Sequence, residues 1–555
     1  MDINKIKQII KGDVESDAKT LSDFSRDASI YRLRPQVVVF PKDVDDIKAL
    51  VKYVSEQKEA GQDISLTARS AGTDMTGGPL SESIVLSMTR YFNHIKKIGK
   101  DFAVVEPGVY YRDFEKETLK QHLLLPSYPA SRELCTVGGM AANNSGGELN
   151  LLYGKTENYV QELKMVLRDG REYTFVPLNH AHLQAKMSQG DVEGEVYLKL
   201  YDLIDKNYHE IKAAKPNVSK NSAGYYLWNV YDRQSGTFDI TKVIVGSQGT
   251  FGIITEIKFG LVRPKAREHL LVVFLDSLHD LAPITNHLLQ FKPQSIESYD
   301  DHTFKVAIKL LPDILSRLRG NAIKLAFSFL PELWMTITGG VPKLVLLAEF
   351  SSDDDADAIT RAKEAQESLR EFSAKGGSAF GGHLRTKLVL AESDAQKYWV
   401  IRRESFNMLR HHVRGMRTAP FIDDFVVRPE VLGEFLPKLY QILDKYKLLY
   451  TIAGHVGDGN FHIIPLMKVG DPKASEVIKN LGEEVYDLVL EYKGSITGEH
   501  NDGLVRGPYL GKMYGPAVEE LFLETKKIFD PDDIFNPGKK AEASLEFGLK
   551  HLDFS

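Results

Sequence analysis

Hydrophobic and polar positions alternate with two different periods along this chain. Val37-Val38-Val39-Phe40 is a short β-prone run stopped by Pro41. Asp43 then caps a helical stripe of Val44, Ile47, Leu50, Val51 and Val54, which recur at the spacing of one helix face. Ser65 to Ala68, Ile84 to Ser87 and Ala103 to Val105 read as strands, and Pro107-Gly108 turns the chain into a helix through Phe114 and Leu119. Val243 to Val245 and Ile253 to Thr255 read as two more strands around a glycine turn. Beyond Pro264 the texture changes. Longer helical patterns, Asp355 to Phe372 and Pro429 to Tyr446, alternate with strands such as Leu344 to Phe350. The pattern predicts an α+β fold with a boundary near Arg263–Arg267, which closes a first domain over 1–265.

Glycine-rich stretches stand at the joints of the first region. They are Arg69-Ser70-Ala71-Gly72-Thr73-Asp74-Met75-Thr76-Gly77-Gly78, Cys135 to Gly147, and Gly246 to Gly252. Without a Cβ, glycine lets backbone approach a ligand and turns N–H groups toward phosphate oxygens. Each stretch alone reads equally well as a tight turn; three in one region suggest a long ligand carrying a pyrophosphate. Gly246, Gly249 and Gly252 give G-x-x-G-x-x-G, and no P-loop G-K-[ST] occurs, so neither a Rossmann nor a P-loop site is indicated.

A second constellation lies near the C-terminus. Tyr450 to Leu466 reads as two apolar strands around Gly457-Asp458-Gly459, a strong turn signal. On one continuous strand His455 and His462 would face opposite ways; a turn between them brings both imidazoles to the same hairpin end. Gly498-Glu499-His500 offers a carboxylate and a further imidazole in a later loop. Two histidines and a carboxylate suit a divalent metal such as Zn²⁺, Mn²⁺ or Fe²⁺. His122, His180 and His411 lack such company and read as polar loop or surface residues.

Composition narrows the classes. The 555 residues are too many for one core, and 43% hydrophobic with 26% charged residues is ordinary for a soluble globular protein. A net charge of −6 gives no basic excess and argues against a nucleic-acid partner. One cysteine, Cys135, leaves no intramolecular disulfide and too few thiolates for an iron–sulfur cluster, which fits a cytoplasmic setting. The N-terminus carries no signal-peptide pattern. Leu325 to Phe350 is the most apolar run, broken by Pro331, Glu332, Pro342 and Lys343, so it reads as buried core; a peripheral contact with a membrane's inner face is the second reading.

The ordered set of these pieces resembles the FAD-binding domain shared by vanillyl-alcohol oxidase, p-cresol methylhydroxylase and the glycolate oxidase/D-lactate dehydrogenase flavoproteins. The matching residues are Arg69 to Gly78, Pro107-Gly108-Val109, Thr136-Val137-Gly138-Gly139, Asn143-Asn144-Ser145-Gly146-Gly147, Tyr153-Gly154, Gly246 to Ile254 with Gly249, Gly252, Ile253 and Ile254, and Ile534-Phe535-Asn536-Pro537-Gly538-Lys539. The resemblance implies a two-part FAD domain over 1–265, an α+β cap over 266–490, and a C-terminal segment over 491–555 returning to the FAD domain. It places FAD's pyrophosphate between the first loop and Gly138-Gly139. Ala71-Gly72-Thr73 holds no histidine, so the flavin is expected to be non-covalent.

Gly454 to His462 and Gly498 to His500 look like the D-lactate, D-2-hydroxyglutarate and glycolate branch. The resemblance implies metal ligands His455, His462 and Glu499, with His500 as general base. The branch's usual glycine after the histidine is Asn501 here. Trp399-Val400-Ile401-Arg402 resembles its W-x-x-R, whose arginine clamps the substrate carboxylate. Thr418 to Asp424 lacks the lysine that would hold a distal carboxylate, with Arg414 or Arg417 as substitutes. Together these imply oxidation of a small D-2-hydroxy acid to the 2-oxo acid. Electrons are expected to leave to a separate acceptor: an iron–sulfur subunit, an electron-transfer flavoprotein or a quinone. The rivals are a non-redox flavoenzyme of the alkylglycerone-phosphate synthase type, a non-catalytic FAD-carrying relay subunit, and a metal hydrolase without flavin.

Overall fold

A computed structural model describes residues 1–301, 341–377, 384–412 and 415–554. Three large sheets organise the described residues, beside a two-stranded ribbon of Tyr231–Asp232 and Thr237–Phe238. In the first, Val37–Phe40, Ile84–Ser87 and Leu66–Arg69 run parallel, and Asp13–Glu15 pairs antiparallel on one edge. Parallel strands need a crossover, and Val44–Glu59 supplies it. Its Ile47, Leu50, Val51, Tyr53 and Val54 are buried against Val37, Val39, Leu66, Ile84 and Leu86. Asp43 caps it, its carboxylate accepting from the Asp46 amide.

The second sheet is antiparallel, in the order Ile95–Ile98, Phe102–Val105, Ile253–Gly260, Val160–Val166, Glu172–Phe175. Burial alternates strictly along Ile253–Gly260, the mark of a sheet with one packed face. The third sheet has eight strands and contains Arg267–Leu275, Leu344–Ser352, Ser295–Asp300, Leu449–His455 and Asn460–Lys468. Leu271, Val273 and Leu275 enter one core, while Leu270, Val272 and Phe274 enter another on the opposite face. Both faces are covered, which explains the unbroken apolar runs in these strands.

Leu344–Phe350 is thus a buried strand, as the core reading has it. The stretch 325–340, where Phe327, Phe329, Leu330, Leu333, Trp334 and Met335 suggested a membrane contact, lies outside the described residues. Among the described residues no helix is long and apolar enough to cross a membrane.

Two local readings are corrected. Val243 to Val245 is not a strand: Thr241–Ile244 forms one helical turn, because Asp239 accepts from both the amide and hydroxyl of Thr241 and turns the chain there. The stretch Cys135 to Gly147 is not all loop: Val137–Asn143 is a short helix capped by Thr136, whose hydroxyl accepts from the Gly139 amide.

The C-terminal segment returns to the first two sheets. Phe529, at the end of the helix Pro516–Phe529, stacks on Phe251 with ring centres 4.3 Å apart. Ile534 and Asn536 then exchange backbone hydrogen bonds with Leu66, at 2.7 and 2.9 Å.

Candidate active site

The three glycine stretches converge. Asp74 closes the first loop by accepting from the amides of Thr76 (3.1 Å) and Gly78 (2.7 Å), and its other oxygen accepts from Asn143 Nδ2 at 3.2 Å. Gly246 and Gln248 donate their amides to the carbonyls of Ala141 and Ala142, both at 2.9 Å. Asn536 Nδ2 donates to the Gly78 and Gln248 carbonyls at 2.9 and 2.7 Å. One C-terminal side chain therefore ties the first and third stretches together.

Gly138 shows why the cradle excludes larger residues. A Cβ there would lie 2.4 Å from Pro107 Cβ and 2.6 Å from its carbonyl oxygen. Gly77 sits at φ +79°, where only glycine is unstrained. Other predicted residues have duties in the protein itself. The Arg69 guanidinium donates to the carbonyls of Phe24 and Arg26 and lies over the Phe24 ring. Gly252 packs against the Val166 carbonyl, and Ile253 begins the strand paired with Val166. Ser145 donates to the Met140 carbonyl, and Tyr153 ends a short helix beyond the cradle. Ser70, Ala71, Gly72 and Thr73 are half-buried in the first loop, and Ile254, half-buried, follows Ile253 in the same strand and pairs with Met165.

The hairpin forms as its turn signal predicts: strands Leu449–His455 and Asn460–Lys468 join through Val456–Asp458. Gly454 permits the closure, since a Cβ would lie 2.3 Å from the Asn460 carbonyl oxygen. His455 and His462 face each other with ring centres 5.2 Å apart. Glu499 Oε1 lies 3.1 Å from His455 Nε2 and 3.4 Å from His462 Nε2. One ligand atom from each of these three residues falls within 4.8 Å of the others.

A second group, Asp424, His462 and His500, meets the same distance test and shares His462. Asp424 is already committed. One oxygen accepts from Thr497 Oγ1 (2.7 Å) and the amides of Gly498, Glu499 and His500 (3.0, 2.9 and 2.7 Å); the other accepts from Asn460 Nδ2 at 3.1 Å. A carboxylate with its lone pairs used this way builds the loop and has little left for an ion. The arrangement therefore favours His455, His462 and Glu499 as the metal-holding set.

Each member of that set is held from behind, as metal ligands commonly are. His455 Nδ1 donates to Glu297 Oε1 at 2.6 Å, and His462 Nδ1 donates to the Asp423 carbonyl at 2.7 Å. Lys220 Nζ donates to Glu499 Oε2 at 2.8 Å. Burial works against ionisation of Glu499, yet Lys220 and His455 hold its carboxyl well below the usual range. His455 is lowered by burial but carried to about 8 by Glu297 and Glu499.

His500 stacks beside His462, ring centres 5.0 Å apart. Its Nδ1 donates to Asp423 Oδ2 at 3.0 Å, leaving Nε2 turned toward Glu499 Oε1, 3.9 Å away. Asp423 is wholly buried and its other oxygen is ion-paired with the wholly buried Arg506. Burial lowers the His500 imidazole, but Asp424 and Asp423 carry it to about 9.

Arg402 stands on the helix Glu392–His412, and its Nε and one Nη reach Glu297 Oε2 at 3.1 and 3.0 Å. Arg417 donates to the Asp553 carbonyl at 2.9 Å, and Arg414 lies outside the described residues. Asn501 takes φ +68°, and its Nδ2 donates to the carbonyls of Asn143 (3.1 Å) and Gly246 (2.9 Å). The departure from glycine thus keeps the left-handed backbone and adds a clamp on two glycine stretches. Of the predicted surface histidines, His122 is exposed in a left-handed turn and His180 is exposed at a helix start; His411 lies on the Glu392–His412 helix.

Glu297, Lys220, Lys155 and Arg506 escaped the sequence reading. Lys155 is buried and donates to the carbonyls of Asn221 (2.6 Å) and Gly498 (2.8 Å) and to the Ser222 hydroxyl. Burial pushes its amine down to about 8. Only Glu297 had a sequence signal: a carboxylate in the middle of the strand Ser295–Asp300, between Ile296 and Ser298.

Residues 263–540 match the pattern described as FAD linked oxidases, C-terminal domain, and residues 35–175 match FAD binding domain. The chain belongs to the FAD-linked oxidase family. A D-2-hydroxyglutarate dehydrogenase of Pseudomonas putida is 29% identical over 95% of this chain and 50% of its own length. A D-lactate dehydrogenase of Anaerostipes hadrus is 26% identical over 97% of this chain and 96% of its own. The chain spans about half the length of the first curated relatives it matches. The solved 4-ethylphenol oxidase of Gulosibacter chungangensis superposes with a TM-score of 0.68 at 16% identity, over 97% of this chain and 96% of that one, which establishes the shared fold.

Proposed function

We propose that this FAD-linked oxidase oxidises a small D-2-hydroxy acid, of the D-lactate, D-2-hydroxyglutarate or glycolate type, to the 2-oxo acid. The observation that carries the reading is the His455, His462 and Glu499 cluster with His500 held at its edge by Asp423. Similarity to relatives named as 2-hydroxy-acid dehydrogenases supports it.

The residues fit both implied groups. The converging glycine stretches, with Gly138 pressed on Pro107, suit the backbone cradle of a dinucleotide, and two imidazoles with one carboxylate suit Zn²⁺, Mn²⁺ or Fe²⁺. Bound FAD supplies the hydride acceptor. A bound dication supplies a Lewis acid for the substrate hydroxyl. The remaining work falls to side chains. Asp423 fixes the His500 tautomer, so Nε2 is the atom that takes the hydroxyl proton as hydride leaves C2. Against burial, Asp424 and Asp423 raise the His500 imidazole, and a dication beside it would act the other way, favouring the neutral ring that a base requires. Arg402, whose guanidinium donates to Glu297, is the candidate for the substrate carboxylate. Electrons then pass to a separate acceptor: an iron–sulfur subunit, an electron-transfer flavoprotein or a quinone.

The test is anaerobic mixing of the purified yellow protein with a panel of D- and L-2-hydroxy acids. One D-acid is expected to bleach the flavin, and chelation to abolish bleaching while leaving the flavin spectrum in place. A flavin that no acid reduces, while light and a photoreductant still reduce it, overturns the reading in favour of non-redox chemistry.

A further inference from the structure

Lys220 is a wholly buried ammonium placed where the flavin cradle meets the histidine cluster. It donates to Glu499 Oε2 at 2.8 Å and to the Gly147 carbonyl at 3.2 Å, and Asp458 Oδ2 lies 3.6 Å away. The neighbouring residues hold it there. Ser219 donates its hydroxyl to the Asp458 carbonyl at 2.8 Å, and Ser222 donates its amide to the Thr497 carbonyl at 3.1 Å. The segment carrying Lys220 is therefore pinned to both metal-site loops, and the lysine is shut off from bulk solvent.

The two oxygens of Glu499 consequently have different jobs. Oε1 faces both histidine Nε2 atoms, at 3.1 and 3.4 Å, whereas Oε2 faces away from them onto Lys220. The geometry points to Lys220 as a positioning residue that keeps Glu499 a one-oxygen metal ligand and restrains the affinity of the site. This inference rests on the metal reading above.

Two physical effects act in the same direction. An ammonium bonded to Oε2 draws charge from the carboxylate, so Oε1 donates less to an ion. The same ammonium stands one carboxylate group from that ion, and like charges in a water-poor interior repel strongly. A cation held this way stays electron-poor, which favours its role as a Lewis acid, at the expense of affinity. Removing the ammonium frees Oε2 to join Oε1 on the metal and removes the repulsion.

The experiment uses the FAD-loaded full chain, stripped of metal by chelation and titrated with Co²⁺, whose visible bands weaken as coordination number rises. Lys220→Met and Lys220→Gln are compared with wild type; the glutamine keeps a hydrogen-bond donor and serves where the methionine variant does not fold. The expected result is cobalt binding at least tenfold tighter than wild type, weaker visible bands, and unchanged FAD content. Cobalt affinity and spectrum equal to wild type, or weaker binding with FAD retained, overturn the role given to Lys220. Wild type that binds no cobalt, or binds it equally well after Glu499→Gln, overturns the metal reading itself and this inference with it.

Discussion

The flavin cradle and the histidine cluster lie side by side and are built on opposite principles. The cradle is backbone: Gly138 against Pro107, Gly77 in a left-handed turn, and amide-to-carbonyl bonds between the Ala141–Ala142 and Gly246–Gln248 stretches. The cluster is side chain: His455, His462, Glu499 and His500, each braced by Glu297, Lys220 or Asp423. A backbone site fails when a side chain is added, because it is made of space. A charged site fails when one of its ligands is removed, because the ion it would hold then loses a donor and the buried partners of that ligand are left alone.

That contrast predicts a double dissociation, the largest effect expected. His455→Ala and His462→Ala should each abolish metal binding and, with it, flavin reduction by the acid, with FAD content unchanged. Gly138→Ala should do the reverse: metal affinity stays and FAD is lost, since the new methyl would meet Pro107 at 2.4 Å. Metal analysis and absorbance on the same samples check both. Loss of both ligands in either variant would break the separation of the two sites.

A somewhat smaller effect should follow at the edge of the cluster. His500→Asn should retain metal and FAD yet slow reduction by the acid about 10²–10⁴-fold, the usual worth of a general base. Loss of the metal in that variant would make His500 a ligand instead of a base.

A buried carboxyl lies beside the cradle as well, and it sharpens the comparison. Asp27 is held in the turn below the first loop, one oxygen accepting from the Ser29 amide at 2.9 Å while the other is buried without a partner. Burial, reinforced by Asp74, pushes its carboxyl up to about 7 from 3.8. The folded state therefore holds a proton that the unfolded chain has lost. The stability this gives is complete below the ordinary carboxylate value and is lost as pH rises through about 7. Asp27→Asn should leave stability unchanged at acid pH and raise it by about 2–4 kcal/mol near pH 8. Glu542, also raised to about 7, keeps part of the slope in the variant. Thermal unfolding from about pH 5 to 8 measures it; parallel curves for the two proteins would refute the assignment.

The same contrast explains what could be read from the sequence. Glycines and hairpin turns act locally, so the three stretches, the hairpin and most elements were legible. So was the pairing of His455 with His462, because the turn between them sets it. Val243 to Val245 misled because three β-prone residues say nothing about Asp239 capping Thr241 just before them. Val137–Asn143 misled because glycines that mark loops elsewhere begin a helix under Thr136. The braces were illegible for a deeper reason. Lys220 and Glu499 are 279 positions apart, and Glu297 and His455 are 158. No local rule joins them; only the packed sheets do.

Asn501 is where the two principles meet, and it carries the smallest effect. It follows His500 directly, takes φ +68°, and clamps the Asn143 and Gly246 carbonyls of the cradle. Asparagine adopts this left-handed conformation more readily than most residues, glycine does so without strain, and alanine is strained there. Asn501→Gly should therefore keep the loop but lose the two bonds to the cradle and the two that Oδ1 accepts, from the Asp502 amide at 2.7 Å and from Lys540 Nζ, loosening FAD about three- to tenfold. Asn501→Ala should lose the same bonds and add about 1 kcal/mol of backbone strain, so it should hold FAD less well than the glycine variant. Both should bind metal as wild type does, because Glu499 keeps its own amide bond to Asp424 and its bond to Lys220. FAD retention on gel filtration and fluorescence titration of the apoprotein give the order. An alanine variant that binds FAD as well as the glycine one would show that the backbone conformation at residue 501 does not matter to the cradle. A fall in metal affinity in either variant would show that the clamp serves the charged site as much as the backbone one.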